Sequence, residues 1–338
     1  MSKPQNQTAA EQTDAFFDRY TLPKIALAVI LLASLFGTWV STTLSGPADP
    51  ALVVAKWIYF VALGVLTGGY IWKHLFVRPV DFGDESADYC AEMYERFDRI
   101  AIGSIAVLVL GGTVVLWEYL DAFGSTTGVL GYATLVTAWL AFAVVTTRRS
   151  GAVSHQFRSP TGLAALGFAL AVVVATAIAD VAMRSFDPIT AGVRILHLLA
   201  FAVWIGGAVW NIFVAVPTGQ KRPTVPVVRA AGEQLERFRW AVRFIIPVLL
   251  LTGLYQAVDS LGTNAASYLG STVGVAILAK AGFIGLLVAI FKLCPMWRAC
   301  SPIDGVCELD DFGDGSSGEY DSVDDEPIDS PTEALGDD

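Results

Sequence analysis

Eight stretches of mostly apolar residues, at 24–45, 51–72, 98–119, 127–147, 161–182, 190–214, 240–258 and 271–292, leave this chain little choice of surroundings. In lipid each backbone N–H and C=O must be satisfied inside the chain itself, and roughly 20 residues of α-helix cross the hydrocarbon. The expected fold class is therefore all-α, a polytopic membrane bundle of about eight transmembrane helices. Charged residues make up 16% of the 338-residue chain, against about 25% in soluble domains. The longest connections between the stretches leave no room for a large soluble domain. The 23 residues before the first stretch include Glu11, Asp14 and Asp18, unlike the short basic start of a secretory signal, so residues 24–45 are expected to be kept as the first span.

The net charge of −10 is unevenly spread. Residues 304–338 hold 14 acids and no Lys or Arg, leaving residues 1–303 with 18 acids against 22 bases, a net charge of +4. A basic nucleic-acid binder is excluded. The acidic stretch at 301–338, rich in Asp, Glu, Ser and Gly, buries too little apolar surface to offset ordering entropy and is expected to be disordered. Together with Arg outnumbering Lys, it fits a salt-adapted source. With the N-terminus inside, 18 of the 22 Lys and Arg residues fall on inner segments; Lys56, Arg184, Arg194 and Lys280 are the other four. The positive-inside rule then places both termini in the cytoplasm of a multi-pass protein of the cytoplasmic membrane. Trp72, Trp240 and Trp297 fall at inner helix ends and Trp117 at an outer one, positions expected to be half wet.

One unit occurs twice. Residues 56–72, KWIYFVALGVLTGGYIW, resemble 194–210, RILHLLAFAVWIGGAVW, with Gly68-Gly69 falling on Gly206-Gly207. Likewise 95–112, ERFDRIAIGSIAVLVLGG, resemble 236–253, ERFRWAVRFIIPVLLLTG. The expected organisation is an N-terminal cytoplasmic segment (1–23), two four-helix repeats inserted the same way up (24–150 and 151–300) and the acidic tail (301–338). The paired glycines are read as packing positions, where small residues let helices approach closely in lipid. The position matching His197 is Tyr59, and that matching Trp204 is Leu66; a ligand site confined to one repeat is expected in the second.

The second repeat carries Arg194-Ile-Leu-His197, Trp204-Ile-Gly-Gly207, Glu236-Arg-Phe-Arg239, Thr252-Gly253 and Gly274 followed by Lys280, in that order. This set resembles the integral-membrane copper-resistance D family (CopD, PcoD and YebZ-like proteins), well over 190–292 and more weakly over 51–147. The resemblance implies an eight-helix inner-membrane protein linked to copper uptake or delivery to cuproproteins. It also implies a small extracytoplasmic copper-binding partner.

Several residues carry chemistry by type and place. An ionisable group within a span is costly and usually finds a partner or a pathway. His197, on one helical face with Arg194 and Trp204, is read either as a structural hydrogen-bonding residue or as a metal ligand. Asp180 and Met183, three residues apart at the outer end of the fifth span, would complete a carboxylate–thioether–imidazole mouth for soft copper(I); the alternative is a solvated helix end. Lys280, near mid-bilayer, has Asp180 and Asp259 as candidate partners, in a structural ion pair or as a control on cation passage. Cys294 and Cys300, with Cys307, follow the last span and offer soft sulfur on the cytoplasmic side, though not at zinc spacing. Cys90 is placed in the loop after the second span, and His74 and His155 in solvated inner loops. No haem is expected, since only His197 lies within a span, and no nucleotide, since no phosphate-binding loop is present. No enzymatic motif is found. Besides copper handling, the sequence leaves open a non-transporting assembly factor and a proton-coupled small-solute permease.

Overall fold

A computed structural model describes residues 21–148, 152–222 and 224–293. Among these the protein is all-α, with eight helices long and apolar enough to cross a membrane. They are α1 (Thr21–Ser45), α2 (Pro50–Ile71), α3 (Ala87–Phe123), α4 (Thr127–Thr147), α5 (Pro160–Ala182), α6 (Pro188–Val209), α7 (Val225–Leu261) and α8 (Thr272–Leu293). The chain runs up and down. We call the end holding Thr21 and the 220–222 turn proximal, and the end holding the connections 46–49, 124–126, 183–187 and 262–271 distal.

Local sequence explains where helices begin and end. Asp49-Pro50, Ser159-Pro160 and Asp187-Pro188 each combine a side chain that accepts from a first-turn N–H with a proline that donates none, which satisfies the orphan donors of a helix start. The Asp187 carboxylate accepts from the Thr190 backbone N–H at 2.7 Å. Gly124 and Gly262, both at positive φ, end α3 and α7. Hydropathy marks α3 and α7 as 98–119 and 240–258, yet each helix runs 37 residues. Their charged first turns are helical too, because a helix once nucleated propagates through residues of ordinary propensity. Cys90 is therefore buried within α3 instead of lying in a loop.

At the centre α2 and α6 pack on each other and are the most buried spans. They cross at Gly68 and Gly206: a Cβ on Gly68 would lie 2.0 Å from the Ala202 backbone oxygen. Only glycine permits so close an approach. Each helix then opens into a π-helical turn, at Trp72–Phe76 and Trp210–Ala215. Asn211 Nδ2 donates to the Gly207 oxygen at 2.8 Å beside the second. Trp72 and Trp210 are wholly buried, so Trp72 is a core residue and not an interfacial anchor. His74, in the first π turn, is also buried and not solvated.

Around this pair, α3 packs on α2 and α7 on α6, while α4 packs on α5 and α8 on α1. The first helix thus lies beside the last, and α5 lies with α2–α4. Leu110, Trp117, Leu130, Leu251 and Leu254 stand exposed on the outer helices, a lipid-facing surface that water would not tolerate.

Candidate functional site

Buried polar residues converge near the distal end. Asp180 on α5 is buried, and its Oδ2 lies 2.7 Å from Arg194 Nη2 on α6. Its Oδ1 accepts from Tyr119 OH on α3 at 3.4 Å and lies 3.9 Å from Lys56 Nζ on α2. Lys56, itself buried, donates to Glu118 Oε1 on α3 at 2.9 Å. Two cations and two carboxylates thus neutralise one another, as buried charges must. Lys56 and Arg194 occupy equivalent places in the aligned segments 56–72 and 194–210, and both reach the same acid, one at each oxygen.

The network continues along α7. Arg194 Nη1 donates to Gln256 Oε1 at 3.4 Å, and Gln256 Nε2 to the Thr252 backbone oxygen at 3.0 Å. The Thr252 hydroxyl donates to the Val248 oxygen at 2.5 Å, so it accepts from His197 Nδ1, 2.8 Å away. A threonine hydroxyl has one hydrogen. With that hydrogen given to Val248, a neutral His197 ring carries its proton on Nδ1 and leaves Nε2 without a hydrogen-bond partner among the described residues. The ring lies against α7 at Gly253, where a Cβ would meet His197 Cε1 at 3.7 Å, an ordinary contact.

Lys280 on α8 lies against α1, where a Cβ on Gly37 would come within 2.9 Å of its Nζ. The expected ion pair of Lys280 with Asp180 or Asp259 is not formed: among the described residues no carboxylate lies within 4.0 Å of it. Asp180 is already taken by Arg194 and Lys56, and Asp259 is exposed on α7.

Of the sequence-derived residues, then, Asp180 and Arg194 meet directly, and His197 shares their network through Gln256 and Thr252. Met183 does not join the imidazole; it packs on the hydrophobic core. Trp204 is buried, with its indole N–H unpartnered among the described residues, and lines a cavity of about 50 Å³ with Leu27, Phe238 and Arg239, away from His197. Cys294 and Cys300 lie outside the described residues. Among the described residues no group of three or more His, Cys, Asp or Glu side chains is placed to hold a metal ion.

The first half holds more polar structure than its sequence suggested. Tyr59, the counterpart of His197, is buried and bonded through its hydroxyl to Tyr132 of α4 and, at 3.2 Å, to Thr176 of α5. Near the proximal end Lys73 Nζ lies 2.7 Å from Asp98 Oδ1. His74 and Tyr70 are buried close by, and neither His74 nitrogen has a hydrogen-bond partner among the described residues. The signal that could have found Lys56 is its alignment with Arg194; Glu118 and the Tyr59 cluster carry none, because their partners lie on other helices.

Comparison with protein families, with curated proteins and with solved structures found no match for this chain. What fold and composition define is a class: a multi-pass membrane protein with eight candidate spans.

Proposed function

We propose that this protein handles copper in the cytoplasmic membrane, with its termini in the cytoplasm and its distal end outward, taking copper in or passing it to cuproproteins. Two supports carry the reading: the ordered residues from Arg194 to Lys280 that resemble the copper-resistance D family, and the hydrogen bond between Thr252 and His197 Nδ1. An imidazole whose Nδ1–H is held by an oxygen and whose Nε2 lone pair is free is the arrangement used by metal-ligating histidines, and imidazole suits copper. Of these two, the orientation of His197 by Thr252 is the observation on which the proposal turns. Asp180 is not a ligand here, since both its oxygens serve cations. The remaining soft ligand comes from the donor that delivers the ion, such as a small extracytoplasmic copper-binding partner. Cys294 and Cys300 are candidate receivers on the other side.

The test is copper(I) stoichiometry on purified protein carrying Cys294→Ser, Cys300→Ser and Cys307→Ser, so that the thiols do not contribute. Replacement His197→Ala is expected to remove the bound ion. Equal stoichiometry with and without the imidazole would refute the proposal.

A second reading, a proton-coupled small-solute permease, is favoured by one observation: Lys280 stands within a span with no acidic partner among the described residues. Intramembrane ionisable groups of that kind mark ion or proton routes. Solute uptake that depends on pH and is lost in Lys280→Met would select it over copper handling.

A further inference from the structure

The cavity beside Trp204 is a slot and not a sphere. Residues between 23 and 30 of α1 and between 204 and 212 of α6 form its long walls, with Phe238 of α7 and Phe291 of α8 closing it. At 1.5 Å per residue each long wall runs about 10–12 Å, and the α1 wall starts two residues from the proximal end of that helix. The atoms facing the space are apolar, and an apolar cavity stays dry. Its volume of about 50 Å³ has room for about four water-sized groups, as a short stretch of hydrocarbon chain requires. The α1–α8 pair bounds the slot on one side and the α6–α7 pair on the other, and the backbones of α7 and α8 scarcely meet. That seam leaves a way in from the lipid.

The proximal rim of the slot is cationic. Arg239 lines it and has no acceptor within hydrogen-bond distance among the described residues: Glu236, exposed on the same helix, lies 3.6 Å from Nη1, and Nε is buried without a partner. Arg243, one turn further along the same face of α7, is exposed and forms no ion pair among the described residues, and the same holds for Lys24, next to Pro23 on α1. An arginine within a span turns its head toward the membrane surface, which brings Arg243 toward the level of Arg239. The first half shows what is missing here. In the aligned segments Asn211 falls on Lys73 and Arg239 on Asp98. Lys73 and Asp98 pair at 2.7 Å. In the second half the asparagine bonds the Gly207 oxygen, and a guanidinium stands where the first half has its carboxylate. The anion that one half supplies from its own chain is absent from the other.

We propose that the slot holds one acyl chain of an anionic phospholipid from the leaflet at the proximal end, with the lipid phosphate against Arg239 and Arg243. Basic pockets between spans hold anionic headgroups, and the apolar slot adds burial of the chain. A zwitterionic lipid can fill the same slot, but it brings its own ammonium group to a rim that already carries cations. An uncharged apolar molecule leaves Arg239 without an anion. Seated there, the lipid joins α8, which packs on α1, to the α6–α7 pair.

The experiment uses full-length protein in micelles supplemented with equal amounts of phosphatidylglycerol and phosphatidylcholine bearing the same chains, and bound lipid is read by native mass spectrometry. Wild type is expected to retain one phosphatidylglycerol, favoured about fivefold or more over phosphatidylcholine. Arg239→Gln should lower that preference about fivefold, the effect of one basic residue near a membrane surface. Arg148→Gln, an exposed cation at the same end on α4, should leave it unchanged. Ala208→Leu fills the slot from α6 without changing charge and should remove the retained lipid; Ala26→Leu fills it from α1 and serves if the first variant does not elute as a single folded species. Equal retention of the two lipids, a preference that survives Arg239→Gln, or a lipid that stays when the slot is filled overturns the proposal. So does displacement of phosphatidylglycerol by an equal concentration of oleate, which would assign the slot to a fatty acid. Copper plays no part in this readout, so its outcome is independent of the copper reading.

Discussion

Replacing Gly68 by alanine should damage the centre of this protein more than any other single methyl addition along α2. The new Cβ would lie 2.0 Å from the Ala202 backbone oxygen and 2.8 Å from Gly206 Cα. A carbon and a carbonyl oxygen normally stay about 3.3 Å apart or more, so the shortfall exceeds about 1 Å. Backbone, not a side-chain tip, stands in the way, and α2 and α6 must separate. A gap of 0.5–1 Å forfeits about a quarter to a half of each dispersion contact along the seam, and overpacking costs about 1–3 kcal/mol. Alanine returns up to about 1 kcal/mol of helix propensity. The expected net loss is about 2 kcal/mol, read from reversible unfolding in mixed micelles followed by tryptophan fluorescence. Two controls grade the argument. At Gly64 the Cβ meets the side chains of Ile205 and Phe201, at 2.8 and 3.2 Å, which can move aside; less than half the loss is expected. At Gly167 nothing lies within 4 Å, and alanine should be neutral or slightly stabilising. If Gly68→Ala unfolds at the same denaturant fraction as Gly167→Ala, the close crossing of α2 and α6 is wrong.

Other consequences follow from the buried charges and caps. Asp180→Asn leaves Lys56 and Arg194 without their shared anion and should cost about 3–5 kcal/mol in the same unfolding assay; adding Lys56→Met should recover part of it, and no recovery would mean that Asp180 does not serve Lys56. Asp98→Asn should cost a similar amount, about 3–5 kcal/mol, by stranding the buried Lys73; a variant as stable as wild type would remove that ion pair from the core. Thr252→Val removes the acceptor that orients His197 and should weaken copper(I) binding about 10- to 100-fold in chelator competition, with unchanged affinity arguing against the oriented-imidazole reading. At the start of α6, hydrogen bonding from the Thr190 backbone N–H holds the Asp187 carboxyl below its ordinary value. Its capping contribution is therefore complete above the unfolded value of about 3.9 and is lost as the pH falls through the lower folded one. Unfolding midpoints compared at pH 7 and pH 3 should fall further in wild type than in Asp187→Asn, which keeps an acceptor that does not titrate.

Membrane class, the number of spans and most helix starts were legible in the sequence, because each depends on residues close together in the chain. Twenty apolar residues commit a segment to lipid whatever its neighbours do, and Asp187-Pro188 caps a helix with its own atoms. The role of Gly68 and Gly206 was legible for a related reason, since a small residue at a crossing point leaves a local trace. The true length of α3 and α7 was not, for hydropathy reports the part in lipid and not the helix.

Which polar residues meet was decided only by the tertiary structure. Lys56 and Glu118 are distant in the sequence, and Asp180 is twice as far from Lys56; only the packing of α2, α3, α5 and α6 turns them toward one another. The same packing gave Asp180 to two cations, left Lys280 without an acid among the described residues, and buried His74 where a loop was expected. Hydropathy is a property of a segment, whereas charge pairing depends on how each helix is rotated about its axis against the others, and that rotation is set by contacts between segments far apart in the chain.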